Sequence, residues 1–215
     1  MTPDEVDAIP YYDEHGNVID HKTIERDEQT LVRRHIRLDH CVLELGSRYG
    51  TVSCMINSLL SDPTRHVAVD PAIEVLPALM RNRENHGGQF HVVTGVISKV
   101  PMAVVQTPDF NQYATFTIPN ENSNTTSFTL DEIQTKYNIR FNCLVADCEG
   151  FLEQFFNENP DFLNQLDTVI FEADLWQRCN YNYVRWMLDT HGFKMVDHMA
   201  GGFQSVWTRT PAHQS

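Results

Sequence analysis

The residues of this sequence that could do chemistry fall into a few short groups. Glu44-Leu45-Gly46-Ser47-Arg48-Tyr49-Gly50 is an acid followed by two glycines four apart. Glycine at 46 permits a tight turn and lets the backbone approach a ligand closely. The spacing is not the GxGxxG of a dinucleotide binder, and no Gly-Lys-Ser/Thr follows to make a P-loop. An acid at 44 suits a cationic amino group. Asp70, in Val69-Asp70-Pro71, can accept both hydroxyls of a ribose, as an acid does in Rossmann proteins. Later come Asp147 and Glu149, then Glu172 and Asp174. Such carboxylates can serve as bases, or can ligate a hard cation such as Mg²⁺ or Mn²⁺. Equally, Asp147 and Glu149 can do no more than favour the start of the following helix. His198 is a further candidate base, or a residue of the rim.

Those groups sit at the ends of apolar runs. Cys41–Leu45, His66–Val69, Phe90–Val93, Phe141–Ala146 and Thr168–Phe171 read as buried strands. Between them lie amphipathic helical stretches. In Thr51–Leu60 the apolar residues Val52, Met55, Ile56, Leu59 and Leu60 share one face. Helices are also expected near Asp27–Leu38, from Pro77 to the Gly87-Gly88 stop, from Thr129, over Phe151–Asn157 and over Tyr181–His191. Strands alternating with helices predict a parallel sheet wound on both faces. Phe193–His198 and Phe203–Arg209 flank Gly201-Gly202 and predict a closing hairpin. The expectation is an α/β, Rossmann-like, doubly wound sheet of seven strands, mostly parallel, with the last strand antiparallel. Residues 1–26 are an arm and 27–215 one domain. Residues 99–128 read as irregular. Ligands of such a sheet bind beyond the carboxyl ends of the strands, where the acids and glycines above fall.

The chain has 215 residues with 41% hydrophobic and 21% charged, enough for one packed domain. Its net charge of −13 argues against a nucleic-acid partner and against anionic lipid. No apolar run reaches membrane-spanning length, and no signal peptide opens the chain, so a cytoplasmic protein is expected. Five cysteines without CxxC spacing suggest free thiols rather than a disulfide framework or zinc site.

The order of these motifs resembles the class I S-adenosylmethionine (SAM) dependent methyltransferases. Val42 to Gly50 followed by Val69-Asp70-Pro71 carries that resemblance. Thr129-Leu130-Asp131-Glu132-Ile133, Asp147-Cys148-Glu149-Gly150 and Val169-Ile170-Phe171-Glu172 narrow it to the FkbM type. The resemblance spans roughly residues 27–209. It implies that Glu44, Gly46, Ser47, Arg48 and Gly50 face the methionine end of SAM. Asp70 and Pro71 would border the ribose, and Val96, Ile97 and Ser98 the adenine. Two departures stand out: Arg48 is bulky and cationic beside a sulfonium, and Ala146 replaces a lysine frequent before the DxEG aspartate.

Methyl transfer from a sulfonium is an in-line displacement that requires alignment and an outlet for the acceptor's proton. The resemblance implies an acceptor hydroxyl on a sugar or glycan, such as a deoxysugar. Asp147, Glu149 and His198 are then the catalytic candidates, and Asp147, Glu172 and Asp174 the metal candidates. Trp176, Tyr181, Tyr183 and Trp186 could stack on a sugar or equally belong to the core, as is favoured for Trp186; residues 99–128 could form part of the acceptor wall, and residues 1–26 could close over the cofactor. A small-molecule or protein methyltransferase is the enzymatic alternative, and a non-catalytic scaffold the alternative of another class. A homodimer is open on the sequence.

Overall fold

The computed structural model describes residues 1–106 and 115–209. A capping box between Thr2 and Glu5 starts α1 (Pro3–Ala8), and a short ribbon of β1 (Tyr11–Tyr12) and β2 (Val18–Ile19) follows. Then the alternation begins: α2 (Arg26–His35), β3 (Val42–Leu45), α3 (Thr51–Leu59), β4 (His66–Asp70), α4 (Leu76–Asn85), β5 (His91–Thr94). Pro77 lies in the first turn of α4, where its missing N–H costs nothing.

Four short strands come next: β6 (Val96–Ile97), β7 (Met102–Gln106), β8 (Thr115–Pro119) and β9 (Ser127–Phe128). This corrects the reading of 99–128 as irregular. β7 and β8 pair antiparallel and β6 pairs with β9 in parallel. The period-two signal was weak there because these strands stand apart from the main sheet and most of their side chains are only half-buried. The chain ends with α5 (Leu130–Tyr137), β10 (Cys143–Ala146), α6 (Leu152–Glu158), β11 (Thr168–Glu172), α7 (Tyr181–Thr190), β12 (Lys194–Met199) and β13 (Gln204–Thr208). A second capping box, Thr129 with Glu132, fixes the start of α5.

Seven strands form the main sheet in the order β12-β13-β11-β10-β3-β4-β5. All run parallel except β13, which is antiparallel to both β11 and β12. Every residue of β3, β4 and β10 is buried, as expected of strands covered on both faces. Alternate residues feed two separate cores. Leu43, Leu45, Leu144 and Val169 pack with α5, α6 and α7, whereas Val42, Ala68, Val145 and Ile170 pack with α1 to α4. The second core also takes Val6, Tyr11 and Ile19, so the N-terminal segment contributes apolar side chains to the domain. All five cysteines are free. No helix among the described residues is long and apolar enough to cross a membrane.

Candidate active site

β3 lies between β4 and β10, so its neighbours are reached by crossovers of opposite direction. A crevice must open at such a point beyond the strand ends. Two backbone bonds draw it together: Gly46 N–H donates to the Val69 carbonyl at 2.9 Å and Asp147 N–H to the Leu45 carbonyl at 3.0 Å. Gly46 has φ +86°, and a Cβ there would stand 1.7 Å from the Asp147 carbonyl oxygen. Only glycine therefore allows the turn after β3 to lie against the turn after β10.

The resulting cleft has Gly46, Arg48, Asp70, Pro71, Val96 and Ile97 on its wall. Asp70 ends β4 with one carboxylate oxygen accepting from Arg48 N–H at 2.6 Å and the other from Ala72 N–H at 2.9 Å. Burial raises its pKa, and the backbone donors of Ala72, Arg48 and Ser47 oppose that. The carboxylate is thus fixed in place with lone pairs left for a vicinal diol. Arg48 is held beside the cleft by Tyr49, over whose ring its guanidinium sits at 4.7 Å. The Tyr49 hydroxyl donates to Glu14, which ties the loop to the N-terminal segment.

A second, more open chamber lies beyond β10 and β11. Asp147, Glu149 and Glu25 line both spaces, so the two meet at a wall of carboxylates. Glu172, Asp174, Trp176 and Gln204 lie on the chamber side only. One oxygen each from Asp147, Glu149 and Asp174 falls within 4.8 Å of the others. Asp174 accepts from Tyr181 O–H at 2.6 Å and Gly150 N–H at 3.1 Å through one oxygen. Crowded, desolvated acids hold their protons. Burial, then the charges of Glu172, Glu28, Asp174 and Glu149, push Asp147 well above the usual carboxylate range. Burial, then the hydrogen bond and charge of Asp174, push Glu149 up to about 9. Burial pushes Glu172 up to about 7 against a hydrogen bond from Gln204.

The remaining sequence candidates lie elsewhere. Glu44 is 1% exposed and points among α3 and β4, where its carboxylate accepts from the Ser53 hydroxyl at 2.6 Å and meets His66 Nε2 at 3.0 Å. Ser47 is buried beside the turn, and Gly50 caps α3 in the left-handed conformation. Ser98 turns to Glu158 at 3.2 Å. His198 is exposed on β12 at the sheet edge. None of these five lines either space. The described part of residues 99–128 reaches the first cleft through Thr115 and Thr117 and supplies nothing to the second chamber. Sequence reasoning missed Gln204, and pointed to the segments of Glu25, Thr115 and Thr117 without singling out those residues. Glu25 precedes α2 with φ 57°, an exception for a non-glycine residue that no local pattern announces.

No protein-family model and no curated protein sequence matches the chain. Solved structures do. A precorrin-6y C5,15-methyltransferase from Geobacter metallireducens superposes with a TM-score of 0.52, covering 88% of this chain and 92% of its own at 10% identity. A Streptococcus pneumoniae protein assigned as a tRNA (m1A22) methyltransferase gives 0.50, with 87% and 72% covered at 14% identity. The chain has the fold of these methyltransferases. A Streptococcus agalactiae protein of the NADB-Rossmann superfamily gives 0.50, with 87% and 69% covered at 11% identity. The methyltransferase fold and its antiparallel seventh strand are as the sequence predicts; the comparisons stop short of the FkbM type. They also overturn one expectation. The net charge of −13 argues against a nucleic-acid partner, yet the same fold occurs in the protein assigned to tRNA methylation. Whole-chain charge says nothing of the potential inside one groove, where recognition happens.

Proposed function

We propose that the protein is a SAM-dependent methyltransferase acting on a small-molecule acceptor. The observation that carries it is the joined pair of spaces. One is a cleft with a glycine-only turn and a backbone-fixed Asp70; the other is a chamber that meets it at Asp147, Glu149 and Glu25. The residues fit the donor. Asp70 takes the ribose hydroxyls, Val96 and Ile97 provide an apolar face for the adenine, and Gly46 admits the methionine end. When bound, SAM supplies an electrophilic methyl carbon. The protein's part is to align the acceptor at the junction, exclude water and take up a proton on a carboxylate. Glu172, at about 7, is placed for the last task.

The fold serves acceptors as unlike as a corrin precursor and, by assignment, a tRNA, so the acceptor is read from the chamber and not from kinship. A second reading keeps the FkbM resemblance and a sugar hydroxyl. Its support is the cluster of Asp147, Glu149 and Asp174, whose oxygens suit Mg²⁺ or Mn²⁺; such an ion lowers the pKa of a ligated hydroxyl. EDTA inhibition reversed by Mn²⁺ would favour that reading, and indifference to the chelator removes it.

Calorimetry with S-adenosylhomocysteine tests the donor site. Asp70→Ala is expected to weaken binding by about ten- to a hundredfold, about 1.5–3 kcal/mol, because both ribose hydroxyls lose their acceptor. Unchanged affinity removes Asp70 from the site, and no binding by the wild type removes the methyltransferase reading.

A further inference from the structure

Resting on that reading, we infer that the chamber anchors a positively charged nitrogen of the acceptor, an ammonium or guanidinium group on a small organic molecule. Three independent features point to it. The first is charge. Glu25, Asp27, Asp147, Glu149, Glu172 and Asp174 line the chamber, where an entering cation would draw off the protons that crowding keeps on Asp147 and Glu149, and Arg26, the one basic side chain among the described residues of its wall, is engaged by Asp7 at 2.6 Å.

The second is unspent hydrogen-bonding capacity. Asp174 and Gln204 are each only 9% exposed and both line the chamber. Gln204 Oε1 has no donor among the described residues, and Asp174 Oδ2 has none beyond the proton of Glu149, with which Asp174 shares a hydrogen bond. The other polar atom of each side chain is engaged. Asp174 Oδ1 holds Tyr181 and Gly150, and the Gln204 amide N–H donates to Glu172 at 2.7 Å. A buried acceptor without a donor is costly, so a site that keeps Gln204 Oε1 in that state is shaped for a ligand that donates N–H.

The third is the rim. Trp176 is 49% exposed at the mouth, beside carboxylates. The Arg185 guanidinium already sits 5.3 Å from the centroid of that indole, so what the rim adds is its acids, which would exclude an anion. The carboxylates are also spread around a large chamber, and only three of the six converge on one point. That spread suits an extended organic cation better than a single metal ion.

The test uses the full chain saturated with S-adenosylhomocysteine and three probes of similar length: agmatine, 1,4-butanediol and glutarate. Calorimetry or ligand-observed NMR is expected to show agmatine binding at least about tenfold tighter than the neutral and anionic probes, the size of a charge-assisted hydrogen bond. Raising the salt should weaken that preference. Asp174→Asn keeps an acceptor for Tyr181 and Gly150 and should cost agmatine several-fold in affinity. Gln204→Leu serves as a second variant, on a different strand, should the first fail to fold. Equal binding of the diol, or a preference for glutarate, overturns the inference. So does Mg²⁺ alone if it binds at micromolar concentration and expels agmatine, which would make this a metal site. Titrating agmatine without S-adenosylhomocysteine separates the two claims: a chain that takes agmatine but not the nucleoside sinks the donor reading alone.

Discussion

Glu44 and Glu149 illustrate how burial decides what an acid can do. Glu44 was expected to meet the methionine end of SAM, but it lies on the face of β3 that packs toward α3, in a closed group with Ser53 and His66. Glu44→Gln should therefore leave affinity for S-adenosylhomocysteine within about twofold while lowering stability by about 1–3 kcal/mol, since His66 and Ser53 lose a charged acceptor. A large loss of affinity with intact stability would return Glu44 to the cofactor. Glu149 stands at the junction with its pKa pushed up to about 9, chiefly by burial and next by Asp174. A carboxyl that binds its proton more tightly folded than unfolded favours the folded state at low pH. That advantage is lost as pH rises from the unfolded value, about 4.3, through the folded one. In the absence of added cations, Glu149→Gln removes that loss. Thermal melts should show the variant gaining on the wild type as pH goes from 6 to 9, and a constant difference would contradict the assignment.

At the scale of elements, the site depends on two turns touching. The loop after β3 and the loop after β10 are in contact because Gly46 has no Cβ and takes φ +86°. Gly46→Ala would force the Asp147 backbone away and separate the cleft from the chamber. We expect it to abolish S-adenosylhomocysteine binding. Gly192→Ala is the control, with φ +83° but nothing within 4 Å of the added carbon. It should cost only the left-handed conformation, about 1–2 kcal/mol, and spare binding. If the two variants behave alike in calorimetry, the contact between the turns is not what shapes the site.

For the whole molecule, the N-terminal segment packs its apolar side chains into the second core. Tyr11 is 1% exposed, stacked at 4.0 Å on the His86 ring and inclined to His21 at 4.9 Å. Glu14 reaches Tyr49 in the cofactor loop, and Glu25 lines both spaces. Tyr11→Ala should lower the unfolding free energy by about 3–5 kcal/mol in urea, as for other buried aromatic truncations. Val18→Ala, at 66% exposure, should stay within about 0.5 kcal/mol. A mild effect of Tyr11→Ala would mean that the segment is only laid on a domain that begins at α2.

The period of the apolar residues by itself determined the alternating elements, the parallel sheet and the closing hairpin, because a strand buried on both faces and a helix buried on one leave different spacings. It also placed Gly46, Asp70, Asp147, Glu149, Glu172 and Asp174 at strand ends, since the sheet topology dictates where a crevice opens. The ribbon of β7 and β8 was illegible because half-buried strands off the main sheet leave no strong alternation. Only the tertiary structure decided which way Glu44 faces, that His198 stands at the far edge, and that Glu25 and Gln204 join the site from opposite ends of the chain. Each of those outcomes depends on which surface packs against which, a long-range balance of burial and charge that local spacing does not encode.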